Sequence, residues 1–131
     1  MSNMRRMMMG LRSGSTDPLA GWEFDKSIVF NSTTTLEDNT GICSSPFFSI
    51  PSGCTTIEVK AAHGNTATRR FYQASSDGTY KNGTNVRGTA TITLLSDSAL
   101  LRMQCATAEV DYCYILDLTH NAYIWKGQNV T

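Results

Sequence analysis

Residues 55–62 read TTIEVKAA, with apolar Ile57, Val59 and Ala61 at alternate positions and charged Glu58 and Lys60 between them. A period of two puts the apolar set on one face of a strand and the charges on the other. That is the pattern of an antiparallel sheet with one buried and one wet face.

The same pattern recurs in both directions. Upstream, WEFDKSIVF (22–30) carries aromatic and β-branched residues, and SSPFFSIP (44–51) is a short run bounded by prolines. Downstream, RRFYQA (69–74) runs into SSDGTYKNG (75–83), where Asp77-Gly78 and Asn82-Gly83 offer the left-handed backbone that tight turns need. VRGTATITLL (86–95) sets Ala90, Ile92 and Leu94 on one face with threonines opposite. LLRMQCA (100–106) groups Leu101, Met103 and Cys105, and EVDYCYILDL (109–118) and AYIWKG (122–127) complete the series. The helix-compatible stretch around residues 98–108 is short and fits better as a strand. About eight short strands between turn signals predict an all-β fold, an antiparallel β-sandwich of jelly-roll type.

An extended N-terminal arm precedes it. Five of the six methionines lie in the first nine residues, beside Arg5 and Arg6, and only Met103 follows. Residues 10–21 are rich in Gly, Ser and Pro. The expected organisation is an arm over 1–12, a linker over 13–21 and one sandwich domain over 22–131, a chain of ordinary size for a single core. Formal net charge is zero, which speaks against a nucleic-acid binder working through a broad basic face. The zero conceals an asymmetry. Arg5, Arg6 and Arg12 precede the first acid, Asp17, so eight of the eleven basic residues share the body with all eleven acids.

No stretch approaches the roughly 18 consecutive apolar residues of a membrane span, so no membrane partner is expected. MMMGL is shorter than the roughly 7–15-residue core of a secretory signal, and a transit helix would meet Gly10 at once. Cys43, Cys54, Cys105 and Cys113 show no CxxC spacing. With no metal site indicated and no secretion signal, they are expected to be buried free thiols.

Catalytic chemistry is not visible. His63 and His120, the only histidines, sit beside turn residues. No phosphate loop, G-x-S-x-G elbow or H-E-x-x-H occurs. Asp111 and Asp117 have no identifiable second carboxylate opposite them, so glycosidase chemistry gains no support. The expectation is a protein that is not an enzyme and has no cofactor or metal.

Binding features are better candidates. Sugar sites on β-sandwiches combine aromatic faces with hydroxyl-binding Asp, Asn or Arg. Tyr72, Asp77, Tyr80 and Asn82 cluster about the predicted hairpin, with Trp125 near the C-terminus, as glycan-binding candidates. The plainer reading of each is core packing or turn chemistry. In the arm, Met4, Arg5, Arg6, Met7, Met8, Met9 and Arg12 form a candidate partner-binding segment. Methionine adapts to irregular grooves, arginine offers forked donors, and an extended peptide can dock as an added strand.

The run SSPFFSIPSGCTTIEVK, then Phe71-Tyr72, the Gly-containing segment Ser76–Tyr80 and Leu101-Arg102, resembles small β-sandwich modules of tailed-bacteriophage virion proteins. The pattern covers residues 22–118 and consists of strands and turns rather than a catalytic signature. The resemblance implies a homo-oligomeric, often trimeric, virion component assembled in the reducing cytoplasm of a bacterial host, which suits free thiols. A short arm and a single module with no shaft resemble a head fibre or capsid decoration, anchored by the arm to other virion proteins. The alternative is a carbohydrate- or receptor-binding module of a phage tail or bacterial surface protein.

Overall fold

A computed structural model describes residues 17–131. Ten strands follow one another: β1 (Glu23–Ile28), β2 (Leu36–Ser44), β3 (Phe48–Ser49), β4 (Thr56–Lys60), β5 (Thr68–Ala74), β6 (Tyr80–Arg87), β7 (Thr89–Thr93), β8 (Leu100–Ala106), β9 (Tyr114–Asp117) and β10 (Ala122–Lys126). They form two antiparallel sheets. The first has the order β1-β2-β8-β5-β6, with β3 also on β8, and the second has the order β10-β9-β4-β7. From β2 to β9 the chain changes sheet at each step, except where β2 continues into β3 along β8 and at the β5–β6 hairpin. Jelly-roll connectivity runs in this way. The edge place beside β9 is filled from the C-terminal side, by β10.

The alternating faces close the core as expected. Ile57 and Val59 of β4 pack with Leu101, Met103 and Cys105 of β8, all fully buried, together with Phe71, Val86, Ile92 and Ile115. Each such aliphatic side chain contributes about 1.5–3 kcal/mol on burial. Ala90 and Leu94 pack partly buried against the same cluster.

The structure corrects four expectations. There are ten strands where about eight were expected: β2, exposed and polar until its buried end at Cys43 and Ser44, carries no apolar alternation to read, and β6 occupies a stretch read as turn. Asn82-Gly83 is no turn but lies within β6; the chain turns only through Asp77-Gly78, where Gly78 has φ +89°. Residues 107–112, read as part of a strand, form a 3₁₀ helix that buries Val110 before β9 begins. The linker expected over 13–21 is already packed before its end, since Leu19 is in the core. Asp17 helps set that entry by accepting the Leu19 N–H at 2.9 Å.

One further feature positions the site. The β1–β2 ladder breaks after Phe24, where Asp25 (φ +60°) accepts the Gly41 N–H at 3.0 Å and the register jumps to Lys26 opposite Asp38. Beyond the break the hairpin arches over the outer face of β8 and β5. The Ile28 N–H donates to Gln104 Oε1 at 2.8 Å, and Arg70 donates to the Ile28 carbonyl at 2.8 Å. Arg102 donates to the carbonyls of Ser45 (2.8 Å) and Thr33 (2.5 Å), and the Thr33 hydroxyl donates to the Gly78 carbonyl. Strand β8 is thereby buried on both faces, apolar inward and hydrogen-bonded polar outward, as buried polar groups require.

Candidate ligand-binding site

Pairing within the first sheet brings Tyr72, Gly83 and Arg102 side by side on the outer face, because Tyr72 stands opposite both of the others. The ladder shifts between Gln73 and Ala74, and the shift turns Tyr80 to this face too. Its ring meets Tyr72 edge-on, with centroids 5.8 Å apart. Tyr72 is 2% exposed, and its hydroxyl has no hydrogen-bond partner.

The arched hairpin ends above these rings. Phe30 stands out at its tip, 65% exposed, and the Arg70 guanidinium carbon lies 5.3 Å from the centre of its ring. Asn31 turns the chain there with φ +59°. Phe30, Arg70, Tyr72, Gly83 and Asn85 surround a notch of about 140 Å³. Its chemistry is an aromatic face, a forked cation, an amide and a phenol within one small concavity. These groups suit a hydroxyl-rich ring better than a hydrophobic ligand, which prefers larger, mainly apolar pockets.

Of the residues expected from sequence, Tyr72 and Tyr80 come together here. Asp77 lies in the β5–β6 turn and does not line the notch. Its carboxylate accepts from Ser75 Oγ at 2.6 Å and the Thr79 N–H at 3.0 Å, which draws it down to about 2. Asn82 pairs with Gln73, one residue past the ladder shift, and so does not share the face of Tyr80. Trp125 is not available for stacking on a sugar. It is 8% exposed between the sheets, 4.8 Å from Trp22 and 6.1 Å from Phe48, and its indole N–H donates to the Pro18 carbonyl at 2.6 Å. The arm candidates, Met4 to Met9 and Arg12, lie outside the described residues. Sequence reasoning missed Phe30, Arg70 and Asn85. Phe30 reads as one more strand aromatic, and only the adjoining Asn31 signals that the strand has ended.

A second concavity, of about 430 Å³, opens at one end of the sandwich between residues 50–55 and 94–99. Behind it, buried Asp117 accepts the His120 N–H at 3.0 Å and bonds His120 Nδ1 at 2.6 Å. Burial pushes the Asp117 carboxyl up, but the bonds from His120 and Cys54 outweigh it and leave the group below its ordinary value. Burial, then the neighbouring carboxylate, pushes the Cys54 thiol up to about 11. Cys54 is therefore a thiol at neutral pH, without the thiolate that a nucleophile or soft-metal ligand supplies. All four cysteines are free and buried, and among the described residues no group of three or more His, Cys, Asp or Glu is placed to hold a metal ion.

No family model, curated protein or solved structure matches the chain.

Proposed function

We propose that this chain is a display and binding module: a jelly-roll domain of a bacteriophage particle, anchored through residues 1–12, that holds a host-surface glycan in the notch beneath Phe30. The observation that carries the binding half is Phe30 itself. Phe30 is the most exposed of the large apolar side chains among the described residues, and it stands at the mouth of a concavity, with the Arg70 guanidinium against its ring and Tyr72, whose hydroxyl has no partner, on the floor. Arrangement supports the anchoring half. The chain enters through Leu19, which packs with Trp22 and Trp125 near the β1 and β10 edges, whereas the notch lies over β5 and β6. An arm fixed on one side leaves the other side outward.

Two measurements test this. Wild type and Phe30→Ala are compared for binding to immobilised bacterial surface oligosaccharides. Loss of binding at unchanged thermal stability is expected, and equal binding removes the notch from consideration. Deleting residues 1–12 is expected to leave a folded domain that no longer enters particles. Retained glycan binding by a chain that never enters particles, deleted or not, would favour the alternative, a free-standing carbohydrate- or receptor-binding module.

A further inference from the structure

A sheet that does not close on itself leaves unpaired backbone groups along its edge strands, and each such edge can pair with another chain. Here the edges are β1 and β6 in one sheet and β10 and β7 in the other. Three of them are blunted. The β1–β2 ladder jumps at Asp25, and β1 carries Glu23, Asp25 and Lys26. The β5–β6 ladder shifts between Gln73 and Ala74, and β6 carries Lys81 and Arg87. The β9–β10 ladder shifts between Tyr123 and Trp125, and β10 ends on Lys126. Strand β3, beside β8, is only two residues long. Strand β7 has no such protection. Its sequence, TATIT, holds no charge, proline or glycine, and its five residues pair with β4 in unbroken register, from Thr89 opposite Lys60 to Thr93 opposite Thr56.

The bonds that flank this ladder show which groups face the open side. The Ala61 N–H donates to the Gly88 carbonyl at 2.8 Å, and the Leu94 N–H donates to the Thr55 carbonyl at 2.9 Å. Antiparallel bonding alternates along a strand, so Gly88, Ala90, Ile92 and Leu94 turn their backbone groups toward β4. The N–H and C=O of Thr89, Thr91 and Thr93 therefore point away from it, and among the described residues nothing bonds them. The three threonine side chains are exposed on the outer face, while Ala90 and Ile92 face the core. Just past the strand, Leu95 stands 42% exposed.

We propose that β7 is a homotypic interface: a second copy of this chain pairs its own β7 antiparallel to this one, across a two-fold axis at Thr91. Two four-stranded sheets then become one continuous sheet. In that register the strand is complementary to itself. Thr91 lies opposite the partner's Thr91, and Thr89 opposite the partner's Thr93. These are the positions whose N–H and C=O are free, so each pair exchanges two hydrogen bonds. Threonine meets threonine on the outer face, a favourable cross-strand pairing, and Ala90 meets the partner's Ile92 on the inner face. The same self-pairing of β1, β6 or β10 would have to cross a ladder break and charged side chains. The interface needs neither the notch nor the arm. A two-fold contact closes at two copies, so the expected assembly is a dimer rather than the trimer that the resemblance to virion modules implies.

The test is the mass of the full chain in solution, by sedimentation equilibrium over a wide range of concentration. Wild type is expected to pass reversibly from 14.4 kDa to twice that mass. Thr91→Pro removes an N–H that β4 does not use. That variant is expected to fold and to dimerise about tenfold or more weakly, having lost two hydrogen bonds across the axis. Thr91→Lys opposes two like charges at the axis and serves the same purpose should the proline variant fail to fold. Register is read separately. Thr91→Cys is expected to cross-link two copies under mild oxidation, whereas Thr89→Cys, more than about 12 Å from its own counterpart, is not. A wild type that stays monomeric throughout, a trimer, undiminished dimerisation by a folded Thr91 variant, or equal cross-linking through Thr89→Cys would overturn the proposal.

Discussion

The ring of Tyr72 lies so close to Gly83 that a Cβ at position 83 would stand 2.7 Å from Tyr72 Cε1 and 3.0 Å from Cδ1. Glycine in a strand interior is normally a weakness. Here it is the condition for burying a tyrosine on the outer face of the sheet. Gly83→Ala is therefore expected to destabilise the domain by about 1–3 kcal/mol, although alanine is ordinarily the better strand residue. The shift of the urea midpoint reads it, and in a Tyr72→Leu background the penalty should largely vanish.

The Tyr72 hydroxyl is buried without a partner, so removing it relieves a desolvation cost rather than breaking a bond. Tyr72→Phe should leave stability unchanged or raise it by up to about 1 kcal/mol. If the hydroxyl serves a ligand in the notch, glycan affinity falls in the same variant. Calorimetric unfolding and binding, measured on one preparation, separate the two effects.

Arg102 is 7% exposed and ties the arched hairpin to the sheet through two carbonyls, with its guanidinium 5.0 Å from the centre of the Phe47 ring. A lysine ammonium cannot bond both carbonyls in that fork geometry while stacking on the ring. Arg102→Lys is expected to cost about 1–3 kcal/mol, because it leaves a buried carbonyl unpaired. Hydrogen exchange should quicken first at residues 28–35, the segment Arg102 pins, and uniform exchange across the domain would count against this role.

Hydrogen bonds from Ser75 and then Thr79 lower the Asp77 carboxyl from 3.8 to about 2. A depressed carboxylate stabilises the fold above its unfolded value and loses that contribution as pH falls through the folded one. Wild type should thus exceed Asp77→Asn in stability near neutrality, and the gap should close between about pH 4 and pH 2. Denaturation midpoints across that range check the sign. A gap that widens on acidification would contradict the assignment.

Much of the fold was legible in the sequence because it depends on one-sided burial. TTIEVKAA and LLRMQCA declare their inner faces by period alone, and Ile57, Val59, Leu101, Met103 and Cys105 are all in the core. Strand β2 was not legible, since a polar edge hairpin buries too little to impose a pattern. Asn82-Gly83 misled for a related reason. The same dipeptide that favours a turn locally is kept extended by the Tyr72 ring, a contact eleven residues away along the chain.

The candidate site divides in the same way. Sequence placed two aromatics, Tyr72 and Tyr80, in neighbouring strands, but it could not tell a tyrosine facing a notch from Trp125 sealed between sheets. Alternation says that a residue is on one side of a strand; it does not say what covers that side. What covers it here is the arched hairpin, whose path depends on the Asp25 ladder break and on Arg70, Arg102 and Gln104 reaching its carbonyls and amide. The sequence by itself determined an all-β sandwich and its inner faces, because local periodicity and composition suffice for those. Only the tertiary structure decided that Phe30 and Arg70 stand over Tyr72 and Gly83, because that meeting depends on long-range hydrogen bonds between segments that carry no mark of one another.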